Sequence, residues 1–220
     1  MIFGSISYLN LLPFQVFLKR YLKHPATQMA FRYKRNVPSQ INQALRHRHV
    51  HAGFISSIES SQYQCTDLGI IANRAVYSVF VIEGDNQIDK ESATSNQLAK
   101  LLGLQGEVII GDKALRYYLN GGEGIDLAKA WFEQTSLPFV FARLCFNCHG
   151  KMTQTIAHQF KHSHTKIPQY ILKKEAKSRN ITPQELLWYL KHIDYIMNHK
   201  AKKSLKRFLQ ESRKTSNLKN

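Results

Sequence analysis

Ser5-Ile6-Ser7-Tyr8-Leu9-Asn10-Leu11-Leu12-Pro13-Phe14 joins a short apolar strand to a helix through a few polar residues. Met1 to Ile6 is short, apolar and glycine-containing, as a buried parallel strand is, and Pro13 suits the first turn of the helix that follows. In open α/β sheets ligands bind at such turns, where backbone N–H groups and small side chains face one crevice that favours anions. Ser7 and Asn10 are therefore candidate ligand contacts.

Working outward, Phe14 to Lys23 reads as a helix with Phe17, Leu18, Tyr21 and Leu22 on one face, His24-Pro25 breaks it, and Met29 to Tyr33 reads as a second strand. Pro38-Ser39 opens a helix in which Ile41, Ala44 and Leu45 recur at helical spacing. Ala52 to Ile55 is a short strand ending at Ser56-Ser57, a second strand end that carries hydroxyls. Leu68 to Ala72 and Val76 to Ile82 read as strands, with Ser78 alone among apolar neighbours and open to the plain reading of a solvent-facing strand serine.

Ser92 to Leu98 places hydroxyl residues ahead of an amphipathic helix. Simple capping accounts for them, and so does a carboxylate held by exposed N–H groups with the Thr94 and Ser95 hydroxyls. Val108 to Ile110 is a strand, after which Asp112 is placed to cap the next helix. Asp126 to Thr135 reads as a helix, Leu137 to Ala142 as a strand, and from Met152 the chain turns helical and basic. Thr182-Pro183-Gln184-Glu185 is a capping box with proline in the first turn. Lys202 to Glu211 reads as a last helix docked by Leu205, Phe208 and Leu209, and Leu218 to Asn220 as a frayed end.

The chain has 220 residues, 43% of them hydrophobic, which is enough for a sizeable core. No secretory pattern opens it and no apolar run approaches the roughly 18 residues of a membrane span, so it reads as cytoplasmic. An odd cysteine count of three argues against a disulfide framework and for reduced thiols. The net charge of +16 fits a nucleic-acid or membrane partner, or an enzyme that handles a dianion. The basic residues are not interleaved with aromatics as in a nucleic-acid module, and on the C-terminal helices they read as solvated faces.

The opening Ile6-Ser7-Tyr8-Leu9-Asn10-x-x-Pro13-Phe14 resembles that of the chorismate dehydratases of menaquinone biosynthesis by the futalosine route, a family with the type II periplasmic-binding-protein fold. Further similar segments follow in order. They are Phe54-Ile55-Ser56-Ser57-Ile58-Glu59, Val76-Tyr77-Ser78-Val79, Ser92-x-Thr94-Ser95-x-x-Leu98, Gly111 to Leu115, and Asp126-Leu127 with Trp131, Thr135 and Leu137 to Ala142. His51 departs where an acidic residue is expected, and Leu144 stands where the family often has tryptophan.

The resemblance implies a two-lobed α/β protein with a ligand cleft between lobes, residues 1–75 and 180–220 forming one lobe and 76–179 the other. It implies dehydration of chorismate to 3-(1-carboxyvinyloxy)benzoate with no cofactor, with Asn10 and Ser78 at the reacting edge and Ser7, Ser56, Thr94 and Ser95 holding substrate. Two other functions share the fold. They are 1,4-dihydroxy-6-naphthoate synthase of the same pathway, whose opening motif differs, and a non-catalytic small-anion binding protein, which would ordinarily carry an export signal.

Three further patterns suggest cofactors. Cys145-Phe146-Asn147-Cys148-His149 spells a c-type haem attachment motif, a chemistry that needs export. The same cysteines with His158 and His162 resemble a zinc finger whose central spacing is short. Gly121-Gly122-Glu123-Gly124 lacks the Gly-Lys-Ser/Thr ending of a phosphate loop. The expectation is that no metal, haem or nucleotide is bound.

Overall fold

The computed structural model describes residues 1–22 and 31–217, with side chains through 215. The expected end of the first helix at Lys23, the His24-Pro25 break, the start of the second strand at Met29 and the fraying of Leu218 to Asn220 lie outside the described residues.

The chain begins with β1 (Ile2–Ile6), a single 3-10 turn (Leu9–Leu11) and α1 (Leu12–Tyr21), which carries Pro13 in its first turn as the sequence requires. There follow β2 (Arg32–Asn36), α2 (Pro38–Arg46), β3 (Ala52–Ser56) and β4 (Gln64–Ala72). The next segment contains β5 (Val79–Ile82), α3 (Ala93–Leu101), β6 (Glu107–Ile110), α4 (Gly111–Leu119), the short β7 (Ile125–Asp126) and α5 (Leu127–Thr135). The last part is β8 (Phe139–Phe146), α6 (Gly150–Lys161), α7 (Gln169–Lys177), α8 (Pro183–Leu190), β9 (Asp194–Ile196) and α9 (His199–Asn217).

Two sheets result. The larger has the order β2-β1-β3-β8-β4-β9 and the smaller β6-β5-β7. In the larger sheet β1 runs parallel to β2 and β3, while β8 lies antiparallel between β3 and β4. The chain thus leaves the larger sheet after Ala72 and returns to it at Phe139. The sequence reads residues 137–142 as a strand, but a local pattern does not say which strands it pairs with. The segment that belongs to the smaller sheet spans residues 79–126.

The crossing at Val76-Tyr77-Ser78 is not strand, contrary to the continuous run expected from Val76 to Ile82. Tyr77 takes a left-handed backbone conformation (φ +58°), and the Val76 and Tyr77 N–H groups both donate to Asp126 Oδ2, at 2.9 and 2.7 Å. The other oxygen of that carboxylate caps α5 through Ala128 and Lys129 N–H. One buried side chain therefore binds the crossing to the first turn of a helix.

The returning strand also pairs Cys65 with Cys145 directly across β4 and β8, and the two form a disulfide. The expectation of three reduced thiols is corrected here. Their opposition depends on a register between residues 80 apart, which cysteine spacing does not disclose. Cys145 thus has no free thiol to pair with the exposed Cys148 in a haem or zinc site.

The capping box forms as read, with Glu185 N–H donating to Thr182 Oγ1 and Thr182 N–H to the Glu185 carboxylate. Helix α9 buries Ala201, Leu205 and Phe208, packs on β8, and receives the Trp131 indole N–H of α5 on Ser204 Oγ at 2.9 Å. No helix among the described residues is long and apolar enough to cross a membrane.

Candidate functional site

Where β1 ends, the crossing passes and the N-termini of α3 and α4 meet, the two sheets enclose a cavity of about 50 Å³. Its walls include Tyr8, Asn10, Ser56, Ser78, Ser92, Ser95 and Gly111 among apolar residues such as Ile70 and Phe141. Four of the six residues singled out in the sequence, Asn10, Ser56, Ser78 and Ser95, are brought together here. This volume is below the roughly 300–1,000 Å³ typical of pockets for small organic ligands.

Ser7 and Thr94 do not line this cavity. The Ser7 carbonyl accepts from Arg179 Nη2 at 2.9 Å, and Thr94 Oγ1 accepts from the Ile58 N–H at 3.3 Å, which joins α3 to the larger lobe. Ser56 is fixed by Asn42, whose amide donates to Ser56 Oγ at 2.9 Å and accepts from the Ser56 N–H at 3.0 Å. Ser92 caps α3 by accepting from Ser95 N–H at 3.1 Å and donates its own hydroxyl to Ser95 Oγ. Ser78 Oγ is 2.9 Å from the hydroxyl of the buried Tyr189.

Asn10 has its carbonyl bound by the Tyr195 hydroxyl at 2.6 Å, while its side-chain Oδ1 is buried without a hydrogen-bond partner. A buried amide oxygen left unsatisfied costs free energy, so a ligand donor is the natural complement. Gly111 is left-handed (φ +66°), and a Cβ there would meet the Tyr8 ring at 2.7 Å; only glycine lets the phenol cover the start of α4.

Asp112, expected to cap α4, does something else. Its Oδ1 accepts from Leu9 N–H at 3.0 Å and its Oδ2 from Arg179 Nε at 3.0 Å. Burial pushes its carboxyl above the usual range, and the Leu9 and Arg179 hydrogen bonds oppose that.

Sequence reasoning missed Tyr8 as a wall residue, together with its partner Glu91, which accepts the Tyr8 hydroxyl proton. Burial first, and then Glu91, hold the Tyr8 phenol far above its ordinary value, so it remains a neutral donor. Among the described residues no lysine or arginine side chain lines the cavity. An anion placed here would meet hydroxyls, a carboxamide and the N-terminal ends of α3 and α4 instead of a full positive charge.

A second, open groove of about 1,100 Å³ runs past Arg74, Tyr77, Tyr118, Lys129 and His192, but it holds none of the predicted residues. The smaller cavity is the candidate site because the polar donors converge there. At the far end of the larger sheet, His51 Nδ1 accepts the Ile2 N–H at 3.1 Å and its ring lies 4.8 Å from that of His149. Among the described residues no three His, Cys, Asp or Glu side chains gather as a metal site.

A family model described as menaquinone biosynthesis matches residues 1–107 and 97–214. The chain belongs to that family. It is 45% identical over 217 residues to a chorismate dehydratase of Campylobacter jejuni, covering 96% of both chains.

Among solved structures, one of an Archaeoglobus fulgidus protein matches with a TM-score of 0.70 at 11% identity, covering 98% of this chain and 97% of that one. The periplasmic aliphatic sulphonate binding protein of Escherichia coli matches with a TM-score of 0.54 at 12% identity, over 98% and 87% of the two chains. A Candida albicans protein with the generic periplasmic binding protein fold gives 0.54 at 9% identity, over 96% and 89%. The family member is thus an enzyme of menaquinone biosynthesis built on the two-lobed α/β fold of periplasmic binding proteins.

Proposed function

We propose that the chain is a hydro-lyase that converts chorismate to 3-(1-carboxyvinyloxy)benzoate and water, acting in the cytoplasm on a free small molecule. The observation that carries this reading is the 45% identity to a chorismate dehydratase over nearly the whole length of both chains. The walls of the cavity add support, because among apolar residues they set hydroxyls, a carboxamide and the N-terminal ends of α3 and α4.

The proton to be lost sits on the ether-bearing ring carbon, in vinylogous relation to the ring carboxylate. Breaking that C–H bond sends its electron pair through the ring toward the carboxylate. The pair then expels the neighbouring hydroxyl, and the proton and hydroxide leave as water while the ring becomes aromatic. The step is redox-neutral, so it consumes no oxidant or reductant.

Charge develops on the carboxylate, and donors fixed in advance in a dry cleft stabilise it best. Ser56 and Ser95 with the α3 N-terminus hold that group, while Asn10 and Ser78 face the reacting edge. Among the described residues, no aspartate, glutamate, histidine or lysine side chain lines the cavity. The enolpyruvyl carboxylate of the substrate itself therefore accepts the proton in this scheme. Incubation of the purified protein with chorismate, with the product identified by mass and NMR, tests the proposal. The aromatic ether supports it; intact chorismate, or a product that has lost pyruvate, overturns it.

A further inference from the structure

Four successive residues of the loop after β1 are each held by a different part of the chain. The Ser7 carbonyl accepts from Arg179, the Tyr8 hydroxyl donates to the Glu91 carboxylate, the Leu9 N–H donates to Asp112 Oδ1, and the Asn10 carbonyl accepts from Tyr195. Glu91 and Asp112 lie within the segment that builds the smaller sheet, and the loop belongs to the larger one. Both residues are themselves anchored, Glu91 through its backbone and Asp112 through its carboxylate. Glu91 accepts Ser39 N–H on its own carbonyl at 3.0 Å and donates its N–H to Asp89 Oδ1 at 2.7 Å. Asp112 is held by Arg179.

The Tyr8–Glu91 and Leu9–Asp112 contacts join the loop to the segment of the smaller sheet, whereas Tyr195 stands in β9 of the larger one. They act on the backbone and on the ring adjoining Asn10, whose carboxamide oxygen is buried and unpartnered at the cavity wall. A side chain misplaced by about 1 Å can cost a reaction roughly a hundredfold.

We propose that Glu91 and Asp112 are positioning residues that couple lobe closure to the placement of Asn10, so that the loop is set for chemistry only after the cleft has shut. Glu91 acts through the Tyr8 hydroxyl and Asp112 through the Leu9 amide. This inference rests on the proposed dehydration, because it assigns Asn10 to the reacting edge. The positive ends of α3 and α4 belong to the same smaller lobe. The motion that brings up the anion-binding donors therefore also fixes the loop.

The test compares Tyr8→Phe, Glu91→Ala, Glu91→Gln, the Tyr8→Phe/Glu91→Ala double variant and Asp112→Ala with the unaltered chain. For each, kcat, KM and melting midpoint are measured with chorismate, and amide exchange of residues 7–10 is measured without it. Tyr8→Phe and Glu91→Ala should each lower kcat about tenfold or more with the midpoint nearly unchanged. The double variant should be no worse than either single one, and Glu91→Gln should recover part of the loss because it still accepts the phenol. Loop amides should exchange faster in Glu91→Ala and in Asp112→Ala.

Full kcat in Glu91→Ala, additive losses in the double variant, or unchanged loop exchange would each overturn the coupling. If the unaltered chain leaves chorismate intact, the dehydratase reading fails and the exchange arm alone decides. Faster loop exchange then sustains the latch, and unchanged exchange removes it.

Discussion

Ser78→Ala separates a substrate contact from a structural one, because the structure gives the Ser78 hydroxyl a partner of its own. Its Oγ lies 2.9 Å from the hydroxyl of Tyr189, and both residues are 1% exposed. Removing one partner strands a buried phenol, at a cost of about 1–3 kcal/mol. For a chain of this size that lowers the melting midpoint by roughly 2–12 °C. If Ser78 also donates to the substrate, losing that bond costs about 2.7–4 kcal/mol at the transition state, or roughly a hundred- to a thousandfold in kcat.

The second substitution, Tyr189→Phe, distinguishes the two effects. Removing both polar partners together is close to neutral, so Ser78→Ala/Tyr189→Phe should regain most of the lost stability. Its turnover should stay low. The assay pairs a urea or thermal unfolding curve with initial rates of aromatic product formation for both single variants and the double variant. Recovery of rate in step with stability would refute the reasoning, since Ser78 would then matter only for holding Tyr189.

Asn10→Ala should reduce kcat about a hundredfold or more with little change in melting, because Asn10 Oδ1 bonds to nothing within the chain; parallel losses of both would contradict this. Under denaturing, non-reducing conditions a thiol reagent should find one reactive cysteine, Cys148. Reduction should destabilise the fold by about 3–5 kcal/mol, given a loop of 80 residues, and three free thiols would contradict the pairing. The His51 imidazole is held below its ordinary value of 6.5, by burial first and by His149 second, and its Nδ1 must stay unprotonated to accept the Ile2 N–H. With the folded value depressed, the unfolded chain takes up the proton first. Stability contributed by His51 is therefore fully present above about pH 6.5 and is lost as pH falls through the folded value. Unfolding midpoints measured from pH 5 to 7.5 should show a slope that His51→Asn flattens, and identical slopes would dismiss it.

What the sequence disclosed follows from how local each signal is. Pro13 and Thr182-Pro183-Gln184-Glu185 mark helix starts through contacts within one turn, and both helices begin there. The register that sets Cys65 opposite Cys145 and inserts β8 between β3 and β4 joins residues far apart, and no local pattern encodes it. Tyr77 interrupts an apolar run that reads as strand because a carboxylate some fifty residues on, Asp126, captures its N–H.

The candidate site divides in the same way. Asn10 and Ser56 stand at strand ends that residue types alone pick out, whereas Ser78 was singled out by family resemblance. Thr94 has the right chemistry, but its hydroxyl oxygen faces Ile58 at the lobe contact. Tyr8 lies in the turn between β1 and α1, yet its role depends on Glu91, 83 positions away.

The most direct measurement is a proton NMR time course of chorismate with the purified chain in buffer treated with a chelator. The account predicts that the two saturated ring positions disappear and aromatic signals grow in equal amount, while the vinyl methylene signals of the enolpyruvyl group persist. Unchanged chorismate signals, free pyruvate, or turnover that stops with the chelator and returns with zinc would contradict it.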